Sequence, residues 1–134
     1  MANVVNTNTL LTGDRQVVVR WDGILDTGNE SAVKKFDVSR LTRSDGVAAT
    51  HATIMKIDYI VAGFSSVTIL FDATNDDEAV VLTPNSGSID YTEFGGMKNP
   101  KSTGYTGDIM LTTAGTPAAT CVYDILLHLK LHYN

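Results

Sequence analysis

The sequence is poor in most of the groups that chemistry and secretion rely on. It holds one cysteine, Cys121, so no disulfide can form within the chain. It has one tryptophan and three prolines. No apolar run approaches the roughly 20 residues needed for a membrane-spanning helix, and a membrane partner is not expected. Basic residues are outnumbered, ten Lys and Arg against fifteen Asp and Glu, which gives a net charge of −5. Binding driven by phosphate neutralisation needs a basic face, so nucleic acid is not an expected partner either. The stretch Met1-Ala2-Asn3-Val4-Val5-Asn6-Thr7-Asn8-Thr9 has neither a basic nor an apolar leader region, and no signal peptide is expected.

What the sequence has in quantity is β-branched residues and turn residues. Seventeen threonines and thirteen valines favour strands, and eleven glycines fall mostly between apolar runs. At 134 residues the chain suits one domain that buries roughly two-thirds of its unfolded surface without metal or disulfide staples. Eight strands are expected: residues 15–24, 32–38, 53–62, 66–72, 79–82, 88–94, 108–113 and 120–133. Alternation is clearest in the last, where Cys121, Tyr123, Ile125, Leu127, Leu129, Leu131 and Tyr133 share one face. In the third, Met55, Ile57, Tyr59 and Val61 are expected to share a face. No window carries a helical stripe, and one short turn around Ser39-Arg40-Leu41-Thr42 is the best helical candidate. The expected fold is all-β: an antiparallel, jelly-roll-like β-sandwich of about eight strands spanning residues 13–134. Residues 1–12 are set apart as a flexible N-terminal arm, since Asn3 to Thr12 are uncharged and polar apart from Val4, Val5, Leu10 and Leu11. The arm is read as a frayed terminus, the alternative being one that orders only against a neighbouring subunit.

Candidate chemical groups do not form a catalytic set. His128 and His132 are four residues apart on a strand, a span of roughly 13 Å. One zinc ion with bonds of about 2.0–2.1 Å does not bridge that distance. The pair is expected on a solvated face, with His51 in a loop. Asp72, Asp76, Asp77 and Glu78 gather at a turn but lack the spacing of an EF-hand, so a soluble hairpin tip is expected. Cys121 is expected to face inward as a small hydrophobe. Trp21 is expected in the core with its N–H on a backbone partner. Serines 65, 66, 86, 88 and 102 lie in turns without a nucleophile elbow. Gly104-Tyr105-Thr106-Gly107 has no helix after it to make a phosphate cradle. Asn29-Glu30-Ser31 matches the glycosylation sequon by chance in a chain without a secretion signal. No enzyme activity, cofactor or metal is expected.

Between Phe36 and Gly115 several blocks stand out: Phe71-Asp72-Ala73-Thr74, Ile89-Asp90-Tyr91-Thr92-Glu93-Phe94-Gly95-Gly96-Met97, and Thr106-Gly107-Asp108-Ile109-Met110-Leu111-Thr112-Thr113. The chain resembles a widespread group of small tailed-bacteriophage virion structural proteins with the same "FDAT", "FGG" and "GDI-LTT" blocks and an apolar–basic final strand. The resemblance implies a virion location and a capsid decoration or cement role through lateral contacts. It also implies homo-oligomers, with the major capsid protein or other virion proteins as partners. The alternative is a tail-, baseplate- or fibre-associated sandwich binding a host glycan or a partner virion protein. The subunit interface expected from the sequence comprises Val4, Val5, Leu10, Leu11, Phe94, Gly95, Gly96 and Met97.

Overall fold

The alternating C-terminal segment forms the middle of the protein. The computed structural model describes residues 4–13, 15–25, 31–38, 41–42, 45–115 and 121–133, without the side chains of Val4, Leu11, Thr12 and Phe94. The described strands are β1 (Val4–Thr12), β2 (Gln16–Leu25), β3 (Val33–Phe36), β4 (His51–Ala62), β5 (Ser66–Phe71), β6 (Asp77–Leu82), β7 (Asn85–Asp90), β8 (Ile109–Ala114) and β9 (Cys121–His132). They form a five-stranded sheet, β1-β2-β9-β4-β7, and a four-stranded sheet, β3-β8-β5-β6. All pairings are antiparallel. Only the β1–β2 and β5–β6 connections stay within one sheet, and every other connection crosses to the opposite sheet. This is a jelly-roll sandwich, the expected fold.

β9 pairs with β2 on one side and β4 on the other. Its residues Cys121, Tyr123, Ile125, Leu127, Leu129 and Leu131 are buried, while the residues between them are partly or fully exposed. From β2, Val17, Val19, Trp21 and Leu25 join the same core, and Phe71, Ile69, Ile109 and Leu111 meet them from the other sheet. Each fully buried side chain of this kind is worth about 1.5–3 kcal/mol. Gly23 lies across from Tyr123, and a Cβ there would meet the Tyr123 ring at 2.9 Å.

The eight expected strands are all present, with shifts that have local causes. A β-bulge between Ile54 and Lys56 changes the phase of β4. Ile54 and Ile57 are therefore both fully buried, and Met55 leaves the face it was expected to share with Ile57. The seventh strand starts earlier than expected and gives way to a 3-10 turn at Thr92–Phe94. There Asp90 accepts hydrogen bonds from the Thr92 N–H and hydroxyl. Residues 4–12 belong to the sandwich instead of standing apart from it, because β1 pairs with β2 from Val4 to Thr12. Their Val and Thr residues fit a pleated strand, and β2 offers them a free edge. Ser39 and Arg40 of the expected helical turn, and Asn29 of the sequon, lie outside the described residues.

The first and last of these sequence blocks meet at one end of the sandwich. Thr106 N–H donates to the Asp72 carbonyl at 3.2 Å, Asp72 N–H to the Asp108 carbonyl at 3.0 Å, and Thr74 N–H to the Thr103 carbonyl at 3.1 Å. The Thr106 hydroxyl donates to Asp72 Oδ2 at 2.7 Å. Asp108 is the one buried carboxylic residue among the described residues. Its Oδ1 accepts from Val38 N–H at 2.9 Å, and its Oδ2 faces Lys34 Nζ at 2.8 Å. That carboxylate holds the Lys34 ammonium above its usual pKa. Gly107 has φ +87°, and a Cβ there would collide with the Thr50 carbonyl oxygen.

Asp108→Ala removes the acceptor for Val38 N–H and is expected to lower unfolding free energy by roughly 1–3 kcal/mol. Gly107→Ala is expected to cost about 1–2 kcal/mol from its left-handed backbone alone, and more from the carbonyl contact. Urea denaturation of both variants checks these values; stability within error of wild type would refute the junction's role.

Candidate functional site

The residues expected to form one interface lie at opposite edges of the larger sheet. Val4, Val5, Leu10 and Leu11 are on β1, the strand that ends the sheet on one side. Met97 forms an isolated bridge to Ile54 on β4, toward the β7 side. Gly95 and Gly96 precede it with φ +86° and +95°. Gly96 is buried, and a Cβ there would meet Thr53 Cγ2 at 2.5 Å and Met55 Sδ at 2.6 Å. This glycine therefore serves a close approach to the protein's own β4. The Phe94 side chain lies outside the described residues.

β1 is the more open of the two places. Thr7 pairs with Trp21 and Thr9 with Val19, so these threonines share the inward face of the sheet. Yet every described side chain from Val5 to Leu10 is exposed, with Val5 at 40% and Leu10 at 57%. Among the described residues, the strand of the smaller sheet that lies near β1 is β3, four residues long against nine in β1. A cavity of about 390 Å³ opens there, with Thr7, Thr9, Trp21, Lys34, Phe36 and Leu41 among its lining. The unpaired edges of β1 and β3 therefore lie on the same side of the sandwich. Trp21 is fully buried as expected, but its indole N–H has no hydrogen-bond partner, contrary to the expected backbone contact. The backbone groups around Trp21 lie in the plane of the sheet and pair with β1 and β9, so they do not turn toward the indole.

A second grouping lies where β4 begins. His51 starts this strand instead of sitting in a loop, and it pairs directly with His132 of β9. Their rings stack with centroids 4.6 Å apart and planes 12° apart, and Tyr105 meets His51 edge-on at 6.3 Å. His132 was expected on a solvated face; the stacked ring and the hydroxyl of Thr53, 2.7 Å from its Nε2, half-bury it. The Thr50 hydroxyl donates to the His132 carbonyl at 3.2 Å and lies 3.0 Å from His51 Nδ1. Its one proton being used there, His51 Nδ1 is the donor of the second contact. Burial holds both imidazoles below their ordinary pKa; His132 and Lys101 act in the same direction on His51, and Lys130, Lys101 and Lys98 do so on His132. His128, further along β9, is 3.7 Å from Asp58.

The remaining candidates have structural explanations. Asp76 Oδ1 accepts from Ala73 N–H at 3.1 Å, closing the acidic turn as a hairpin tip between β5 and β6. Among the described residues no group of three His, Cys, Asp or Glu is placed to hold a metal ion. Cys121 is buried in the core, as expected. On the outward face Arg20 grips Asp124 through two hydrogen bonds of 3.0 and 2.7 Å. Sequence reasoning missed the β1 edge and the histidine pair, since both depend on strand order.

No protein-family model and no curated protein matches the chain. Among solved structures, it is similar to a cupin domain from Bordetella pertussis Tohama I, with 8% identity and a TM-score of 0.36, over 98% of this chain and 96% of that one.

An imidazole held below its ordinary pKa binds a proton more readily once the chain unfolds. The contribution of His51 and His132 is therefore complete above about pH 6.5, the ordinary histidine value, and declines as pH falls below it. Urea midpoints between pH 7.5 and about 5 are expected to fall, and His132→Gln is expected to reduce that slope. An unchanged slope would overturn the pairing's role in acid sensitivity.

Proposed function

We propose that this chain is a non-enzymatic structural subunit of a tailed-bacteriophage virion, a decoration or cement protein added to an assembled capsid shell. The observation that carries the reading is β1, nine residues without a charge, exposed from Val5 to Leu10 and paired on one side only among the described residues. An open edge of that kind is a template for strand pairing between chains, and proteins that stay single usually blunt it with lysine, proline or a cover. The virion assignment rests on the blocks at 71–74, 94–96 and 106–113 and on their likeness to the phage group. Jelly rolls serve in viral capsids, lectins and cupins alike, so the fold leaves the choice among them to the surface.

The function follows from repetition. A shell presents the same seam many times, and a subunit that binds only assembled neighbours stabilises them by mass action. A neutral strand edge suits this, since main-chain hydrogen bonds supply the contact and no charge must be desolvated. A glycan-binding tail module would instead use the cavity beside Trp21. That ring is fully buried and turns no face toward a sugar, which favours the assembly reading.

Quantitative mass spectrometry of purified particles checks the proposal. A copy number equal to the major shell protein, or a simple fraction of it, is expected. A count in the range of tail components, or absence from particles, would overturn it.

A further inference from the structure

We propose that β1 pairs edge to edge with β1 of a second copy of this chain around a two-fold axis, joining two five-stranded sheets into one continuous sheet. The inference deepens the structural-subunit reading by naming the first partner of the open edge, and it rests on that reading only for its purpose in the particle.

Four strands end the two sheets, and their charges separate them. β3 carries Lys34 and Lys35, β6 carries Asp77 and Glu78, β7 carries Asp90, and β1 carries none. Two copies of a chain with net charge −5 repel each other. Antiparallel pairing of β3 with its own copy would set Lys34 opposite Lys35, and β6 or β7 would bring carboxylates into a seam between two negative chains. β1 against β1 brings no charge. Its register with β2 is regular from Val4 to Thr9 and breaks only between Thr9 and Leu11, so the segment offers a straight edge before the bulge. Antiparallel pairing of one strand with its own copy is self-complementary, as a closed two-fold interface requires. The partner strand is already held extended by its own β2, so little ordering entropy opposes the contact.

The inward side of β1 supplies an independent reason. Thr7 and Thr9 face inward but are exposed, because the strand of the smaller sheet that lies near β1 is the short β3. The cavity beneath them has Trp21 in its wall, and the buried N–H of Trp21 has no acceptor. A second β1 laid alongside places another row of Val5, Thr7 and Thr9 over the open side and encloses the cavity at the seam. The surface left wet in the single chain then becomes the centre of the dimer.

Sedimentation velocity on the full chain, from micromolar to sub-millimolar concentration, tests the pairing. Wild type is expected as a dimer, and Asn6→Lys with Leu10→Lys as a monomer. Both positions are exposed, and Asn6 faces Asp22 across the β1–β2 pair, so the variant keeps its own strand in place. Circular dichroism should match wild type, and in hydrogen exchange the β1 amides that point away from β2 should be protected only in the dimer. Since Trp21 is the one tryptophan, its emission should change with concentration in wild type and not in the variant. A monomeric wild type, or a variant that remains dimeric, would overturn the pairing. Particle counting keeps the two readings apart. A monomer present at shell-like copy number leaves the virion role standing without the pairing, and a β1-dependent dimer missing from particles does the reverse.

Discussion

The burial of one face of β9 is the constraint from which the rest of the structure follows. Six of its side chains, from Cys121 to Leu131 in steps of two, must leave water together. A slip of one residue in either neighbour would turn that neighbour's apolar set outward, so the registers with β2 and β4 are fixed strongly. A single sheet cannot dry this face; it needs a second layer about 10 Å away. Phe71, Ile69, Ile109 and Leu111 on β5 and β8 provide it. The crossing connections of the jelly roll are what bring these strands over β9 from such distant parts of the chain.

The distinctive sequence blocks belong to this construction. Asp72 and Thr74 in one block bond Thr106 and Thr103 beside the other, and Asp108 reaches Val38 and Lys34. Each crossing loop must return at a set height for its strand to enter in register. A buried carboxylate with a backbone donor and an ammonium fixes that height more sharply than apolar contact does, because its partners are directional. Gly107 completes the junction by letting the chain pass against the Thr50 carbonyl. A likeness carried by these blocks therefore speaks first to how the sandwich closes.

Most of the fold was legible because each strand declares its inward face by alternation. The signal failed where local geometry broke the period. At Ile54 and Met55 a bulge puts two residues against one, and no sequence rule located it. β1 was misread for a different reason. Its inward positions are Val5, Thr7 and Thr9, which look like a polar tail because the nearby β3 is too short to ask them all to be apolar. The His51–His132 stack was hidden as well, since 81 positions separate the two rings and only the β4–β9 register brings them together. Local pattern reads faces; it does not read neighbours.

The same distinction governs the surface. Sheet edges are hazards, and this chain treats three of its four with charged residues: Lys34 and Lys35, Asp77 and Glu78, and Asp90. Leaving β1 neutral is therefore a departure from the molecule's own practice. It lies beside an open flank, where Thr7 and Thr9 meet solvent from the inward face of the sheet. An edge that is long, uncharged and backed by an unfilled cavity carries an unmet hydrogen-bonding requirement on the backbone and on Trp21. Water can meet the first at the surface but does not reach a buried indole, so a partner strand at this flank satisfies the edge and encloses the cavity in one contact.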